Sequence, residues 1–224
     1  MGGDCLYTGC VPSKSLIRSG RIMSYIRRAT EYGITDATGS VDFTKVMQRV
    51  RGVIETIEPH DSPERYTGLG VDCVSGEARI KSPYEVEVDG KTITTEAIVI
   101  ASGARPFVPP VPGLEALDYL TSDSVWSLTE LPKRLLVIGG GPIGCELTQA
   151  FANLGSSVTQ VDMAPRIMPR EDPEVSAAVS ARFTEQGIRL LTNHKLVKFE
   201  TIDGEHIMEA EHDGQVVRVA FDKV

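Results

Sequence analysis

From Leu135 to Asp162 the chain passes from a short apolar strand through G-G-G-P-I-G-C-E into a helical stretch, then past Gly155 into a second strand beginning at Ser157. No other stretch restricts the fold as much. This order of elements starts a βαβ unit, whose strands run parallel in one sheet. Gly139, Gly141 and Gly144 stand in G-x-G-x-x-G spacing at the strand-to-helix turn. One glycine permits the bend, a second lets backbone approach a pyrophosphate, and a third lets helix pack closely on strand. The helix start supplies N–H groups and positive dipole to such an anion. The spacing alone also fits a tight helix–strand turn, but Asp162 lies 18 residues beyond Gly144 at the end of the next strand, which points to a dinucleotide. Asp162 is expected to accept a hydrogen bond from an adenosine ribose 2'-hydroxyl and to repel a 2'-phosphate, favouring NAD over NADP. Arg166 and Arg170 lie near enough in sequence to meet a phosphate and weigh the other way.

The remaining patterns place this unit within an α/β chain. A helix is predicted from about Pro173 to Gln186, stopped by Gly187, followed by a strand from Ile188 to Leu191. The tail alternates polar and apolar residues across Asp203-Gly204 and Asp213-Gly214, two hairpin signals of a three-stranded meander. Upstream, residues 12 to 31 read as a helix with Leu16, Ile17, Met23 and Ile26 at near-helical spacing and Gly33 as its stop. Asp42 caps a second helix whose inner stripe is Phe43, Val46, Met47, Val50, Val53, Ile54 and Ile57. Asp61, Pro63 and Glu64 mark the start of a short third helix, in a polar H-D-S-P-E-R-Y run to which the sequence assigns no role. From Val71 the period becomes two: a strand through Ile80, then Tyr84 to Val88 and Thr92 to Thr94 around an Asp89-Gly90 turn. Ala97 to Ala101 reads as an apolar strand buried on both faces, ended by A-S-G-A-R-P. The run P-F-V-P-P-V-P-G then forms a stiff connector, so a domain boundary is expected near residue 121, giving units 1–120 and 121–224.

Composition excludes several classes. A net charge of -8 argues against a nucleic-acid surface, which needs a basic face. No stretch approaches the roughly 18 apolar residues that span a bilayer, and the N-terminus lacks a signal peptide's charged and apolar segments. Met1-Gly2 opens like a myristoylation motif, but Leu6 stands where Ser or Thr is required. The expected compartment is the cytoplasm, where a close cysteine pair is usually catalytic rather than structural.

That pair is Cys5 and Cys10, in G-G-D-C-L-Y-T-G-C-V-P-S-K, with Pro12 opening a helical stretch and Lys14 one turn in. A helix N-terminus lowers the pKa of a nearby thiol, so the two read as a dithiol that cycles to a disulfide. Two buried structural cysteines or half of a metal site are the alternatives on spacing alone. Zinc is disfavoured because Cys73 and Cys145 are isolated and His60, His194, His206 and His212 show no ligand spacing; no metal is expected.

The flanking residues carry a resemblance. G-G-x-C-L-x-x-G-C-x-P-S-K resembles the active-site signature of the flavin-dependent pyridine nucleotide-disulfide oxidoreductases, matched at Gly2, Gly3, Cys5, Leu6, Gly9, Cys10, Pro12, Ser13 and Lys14. The resemblance continues in order through Ala101-Ser102-Gly103, where relatives have A-T-G, then the proline connector and the nicotinamide motif. It implies two Rossmann-like domains with parallel sheets and β-meanders, 1–120 binding FAD and 121–224 binding NAD or, less favoured, NADP. It further implies that Lys14 lies beside the flavin in a buried ion pair with Glu146. Gly3, Ala101, Ser102, Gly103 and the Ala78 backbone would contact FAD, while Gly139, Gly141, Gly144, Glu146 and Asp162 would serve the nicotinamide dinucleotide.

The mechanism implied is electron transfer between nicotinamide, flavin and the Cys5/Cys10 disulfide, with Cys10 facing the flavin and Cys5 exchanging with substrate. The direction is open. A lipoyl group or another small disulfide, as in dihydrolipoamide dehydrogenase, and a metal ion, as in mercuric reductase, are the expected substrates. A non-catalytic nucleotide-binding module is the alternative from another class. Relatives carry an FAD-binding G-x-G-x-x-G ahead of the cysteines and a dimer domain with an acid-base His and Glu behind. This chain shows neither, so both domains are expected to be incomplete and the parent protein to be a homodimer.

Overall fold

A computed structural model describes residues 3–224; Gly2 of the cysteine signature and the Met1-Gly2 opening lie outside the described residues. The chain opens with a short helix α1 (Gly3–Tyr7) and a long helix α2 (Cys10–Arg27), followed by a 3-10 turn that ends at Gly33 with φ of 73°. Helix α3 (Phe43–Ile57) starts as predicted, Asp42 Oδ1 accepting from the Lys45 N–H at 3.1 Å. Its buried stripe of Phe43, Met47 and Val50 faces Leu16 of α2. The next helix, α4 (Pro63–Gly68), is capped one residue later than predicted. Ser62, not Asp61, accepts from the Arg65 N–H, and Asp61 ends a 3-10 turn that continues α3.

The period-two region forms a small antiparallel sheet of β1 (Ala78–Ser82), β2 (Glu85–Val88) and β3 (Lys91–Thr94). Its hairpin turns on Asp89 and Gly90 at φ of 48° and 80°, the two positive values a type I' turn requires. Two expectations fail here. Residues 71–77 do not pair, because β2 is four residues long and its register with β1 runs out at Ala78↔Val88. Ala97 to Ala101 is not a strand, and Val99 and Ile100 are 88% and 73% exposed. An apolar strand buried on both faces needs ladder partners and cover on each side, and among the described residues no strand pairs with this one.

Beyond the proline connector the chain forms β4 (Arg134–Ile138), α5 (Pro142–Leu154), β5 (Ser157–Val161), α6 (Pro173–Glu185) and β6 (Arg189–Leu191). The three strands make a parallel sheet in the order β4-β5-β6. The meander β7 (Lys195–Ile202), β8 (Glu205–His212) and β9 (Gln215–Phe221) follows, turning on Asp203-Gly204 and Asp213-Gly214 with positive φ at all four residues. Among the described residues no helix is long and apolar enough to cross a membrane.

Alternation along β4 explains the layers. Adjacent strand residues face opposite sides. Leu135 joins the helical core with Leu16, Met47, Val50, Ala150, Phe151 and Val158, while Leu136 joins Val161, Phe199, Met208 and Phe221 of the meander core. The parallel sheet is therefore sandwiched between helices and meander. The helical core draws residues from both sides of position 121.

Two contacts lock the layers. Gly113, at φ of 85°, lies where an added Cβ would overlap the Phe199 carbonyl oxygen, and the Phe199 N–H donates to the Pro112 carbonyl at 2.8 Å. Gly113→Ala is expected to lower the unfolding free energy by more than about 2 kcal/mol, read by urea denaturation, since both φ and backbone contact oppose it. The second is Arg134, whose guanidinium donates to Asp222 Oδ1 at 2.7 Å and to Glu205 Oε1 at 2.6 Å. It holds the Asp222 carboxyl below its ordinary 3.8. A depressed folded value means stabilisation that is complete above the ordinary value and lost as pH falls through the folded one. Asp222→Asn should therefore destabilise by about 1 kcal/mol at neutral pH, and the difference from wild type should vanish under strongly acidic conditions.

Candidate active site

Cys5 lies in α1 and Cys10 is the first residue of α2, and both are exposed free thiols. Gly9 lets the two helices meet so closely: a Cβ there would stand 2.7 Å from the Asp4 carbonyl oxygen and 3.2 Å from Cys5 Cα. The thiols interact. The Cys10 side chain, by hydrogen bonding, raises the Cys5 thiol above its ordinary 9.0, with smaller upward contributions from burial and from the negative charges of Cys10 and Asp61. Cys5 is thus raised by its surroundings, where the position beside a helix start led to the expectation of a lowered thiol. The other two cysteines have different surroundings. Cys145 is buried in α5, its thiol pushed up by burial, and Cys73 is exposed with Sγ 3.7 Å from the Pro63 carbonyl.

Lys14, one turn into α2, donates to Glu146 Oε2 of α5 at 2.5 Å across 132 positions of chain. The expected ion pair is formed but not buried, its side chains being 58% and 43% exposed. Both residues lie on the rim of the α2–α5 contact, where water reaches them, so the bond positions charge more than it adds stability. Below it the helices come close: a Cβ on Gly20 would stand 3.1 Å from the Ala150 carbonyl and 3.3 Å from Asn153 Cβ. The chain's one tryptophan, Trp126, adds a third tie, Nε1 donating to the carbonyls of Thr8 at 3.1 Å and Ser122 at 2.6 Å.

The Ala101-Ser102-Gly103 loop reaches the same place. Gly103 has φ of 73°, and the following Ala104 N–H donates to Asp4 Oδ2 at 3.2 Å, docking the loop on α1. Ala78 heads β1 in the small antiparallel sheet, a separate element from those bearing the cysteines. Gly3, at φ of 57°, begins α1. A cleft of about 410 Å³ runs from Cys10 and Lys14 past Arg105 and Trp126 to Ile143 and Glu146, and so joins Cys10 to the start of α5.

At that start the glycine turn is built as its spacing predicts. Gly139 has φ of 108°, and its N–H donates to the Val161 carbonyl at 2.9 Å. A Cβ on Gly144 would overlap the Gly139 carbonyl, whereas one on Gly141 would meet nothing within 4 Å, leaving the second glycine open for a ligand. Asp162 follows the last residue of β5, beside the turn. Its Oδ2 accepts from the Gly140 N–H at 2.5 Å and its Oδ1 from the Ala164 N–H at 2.6 Å. Each oxygen keeps a lone pair for a further donor. Arg166 Nη2 donates to the Pro169 and Glu171 carbonyls at 2.8 and 3.0 Å, which commits its guanidinium to the loop. These residues fit a pyridine dinucleotide.

Sequence reasoning missed Asp4, Trp126 and Gln160. Gln160, buried in β5, donates to the Gly139 carbonyl at 2.8 Å and so props the glycine turn from below. A buried glutamine in a parallel strand was a visible signal; nothing local marks Asp4.

The helix that begins at Cys10 and the helix that follows the glycine turn are thus joined through the Lys14–Glu146 bond. In comparison with known proteins, residues 1–224 match the pyridine nucleotide-disulphide oxidoreductase family, and the chain belongs to it. It is 35% identical over 224 residues to a mercuric reductase of Staphylococcus aureus, covering 100% of this chain and 41% of that protein. To a dihydrolipoyl dehydrogenase of Bacillus subtilis it is 31% identical over 240 residues, covering 100% of this chain and 50% of that protein. Among solved structures, the HOCl-induced flavoprotein disulfide reductase RclA from Escherichia coli matches with a TM-score of 0.76 and 27% identity, over 99% of this chain and 47% of that one. The chain thus spans half or less of the length of these relatives.

If Cys10 is what raises the Cys5 thiol, removing it must lower that value. In the reduced protein, Cys10→Ala should shift the pH profile of iodoacetamide labelling at Cys5 toward lower pH, measured by peptide mass spectrometry; an unmoved profile would assign the rise to another group.

Proposed function

We propose that this chain carries the dithiol and the nicotinamide-dinucleotide site of an FAD-dependent, dihydrolipoyl-dehydrogenase-like disulfide oxidoreductase. The observation that carries this reading is the Lys14–Glu146 bond, which joins the helix of the cysteines to the helix of the glycine turn. FAD, when bound beside Cys10, Lys14 and the Ala101–Gly103 backbone, and NAD, when bound at the glycine turn, supply two-electron transfer. Docking of that backbone on Asp4 and the open cleft at Cys10 fit such a group.

The chain's own residues divide the remaining work. Cys10, nearer Lys14 on α2, holds the thiolate on the flavin side, and the Lys14 ammonium, fixed by Glu146, stabilises negative charge there. Cys5, exposed on α1, exchanges with the substrate disulfide: its thiolate attacks one sulfur, the S–S bond breaks and the other sulfur leaves as thiolate, and Cys10 then attacks the Cys5 sulfur to close the Cys5–Cys10 disulfide as the bound substrate sulfur leaves as the second thiolate. The reverse sequence oxidises a dithiol substrate by the same bonds. The N–H groups at the start of α5 meet the pyrophosphate, and Asp162 accepts from a ribose hydroxyl. Its negative charge, with Arg166 committed to loop carbonyls, supports NAD over NADP. The full-length protein is proposed to be a cytoplasmic homodimer with a small-molecule substrate and no nucleic-acid partner.

Mercuric-ion reduction is a second reading, supported by the higher identity to the Staphylococcus aureus protein than to the Bacillus subtilis one, 35% against 31%. Lipoamide with NAD and mercuric ion with NADPH separate the two when the full-length protein is assayed. The class itself is tested by anaerobic two-electron reduction of the full-length flavoprotein. A long-wavelength thiolate-to-flavin absorption band is expected in two-electron-reduced wild type and, before any reduction, in Cys5→Ser, whose Cys10 has no disulfide partner; it should be absent in Cys10→Ser, and its appearance there would refute the assignment.

A further inference from the structure

Thr8 lies between the two cysteines and outside both α1 and α2. Its N–H donates to the Asp4 carbonyl at 3.0 Å and closes the last turn of α1. A chain running on as helix would pair the Thr8 carbonyl with the N–H four residues on, but that residue is Pro12, which has none. The Trp126 indole supplies the donor from 118 positions away, Nε1 lying 3.1 Å from the Thr8 carbonyl oxygen and 2.6 Å from that of Ser122. Among the described residues no other side chain bonds the main chain between the cysteines. Trp126 is half-buried in a 3-10 turn (Val125–Ser127) and lines the same cleft as Cys10, Ser13 and Lys14.

We propose that Trp126 is a positioning residue for the dithiol–disulfide step: its indole N–H fixes the turn between Cys5 and Cys10 and so favours closure of the disulfide. This rests on the reading of Cys5 and Cys10 as the redox pair. In the disulfide a covalent bond already confines the intercysteine segment, whereas in the dithiol only noncovalent ties do. Loss of the indole bond therefore frees the dithiol more than the disulfide. Closing the ring then costs more conformational entropy, and the equilibrium moves toward the dithiol.

Reduced and oxidised dithiothreitol in varied ratio, without oxygen, set this equilibrium in the full-length protein. A dithiothreitol thiolate attacks the Cys5–Cys10 disulfide, a mixed disulfide forms, and the second dithiothreitol thiol closes its own cyclic disulfide. Both protein thiols are released, so two electrons and two protons pass from dithiothreitol to the protein. Acid quenching, thiol labelling and peptide mass spectrometry at Cys5 and Cys10 give the ratio at half-reduction. In Trp126→Phe that reduced-to-oxidised ratio should be about threefold to tenfold lower than in wild type, the range that one hydrogen bond supplies. Trp126→Tyr, which fills more of the same space and also lacks the indole N–H, should shift the same way and decides the matter if the phenylalanine variant does not fold. An unchanged ratio, a shift in the other direction, or a loss of thermal stability without a shift overturns the proposal. Absence of a Cys5–Cys10 disulfide in wild type at every ratio would instead remove the reading on which it rests.

Discussion

The contact between α2 and α5 is the constraint on which the site depends. Lys14 meets Glu146, and one to two turns further along both helices Gly20 meets Ala150 and Asn153, so the two helices run side by side in the same sense. Their N-termini consequently lie at the same end of the molecule. One start bears Cys10 and the other follows the glycine turn, and the cleft at Cys10 reaches Ile143 and Glu146 in the first turns of α5. The absence of a side chain at residue 20 permits the approach, and burial of Leu16, Phe43, Met47, Val50, Ala150 and Phe151 around it makes the contact favourable.

The parallel sheet holds this pair of helices in place from beneath. β4 presents Leu135 to the helices and Leu136 to the meander, so a single strand organises both cores. Where β4 begins, Arg134 binds Asp222 and Glu205, and where it ends, Gly139 starts the nucleotide turn. The strand thus links the meander mechanically to the ligand-facing loop. Gln160 and Asp162 of the neighbouring β5 region then fix that loop through Gly139 and Gly140.

Much of this was legible from residue order because the signals were local. Asp42 as a helix cap, the Asp-Gly turns, and the glycines at 139, 141 and 144 each depend on neighbours a few positions away, and each appears where its spacing required. The failures involve partners that spacing does not name. Ala97 to Ala101 reads as a buried strand from its apolar run, yet a strand is defined by its neighbours, and none pairs with it among the described residues. The Lys14–Glu146 pair could be matched through the family signature, but its exposure depends on what covers the rim of two packed helices. For Cys5, the thiol responds to Cys10 and Asp61, and Tyr7–Glu58 and Trp126–Thr8 join segments too distant for any periodicity to connect.

The central claim is that reducing equivalents move between pyridine nucleotide and the Cys5/Cys10 pair and no other sulfur in the chain. It is tested most directly by adding one equivalent of reduced pyridine nucleotide to the oxidised full-length flavoprotein without oxygen, quenching with a thiol-specific label and mapping the modified cysteines. The account predicts two newly labelled thiols, at Cys5 and Cys10, with Cys73 and Cys145 unchanged. New label elsewhere, or none at this pair, would contradict it.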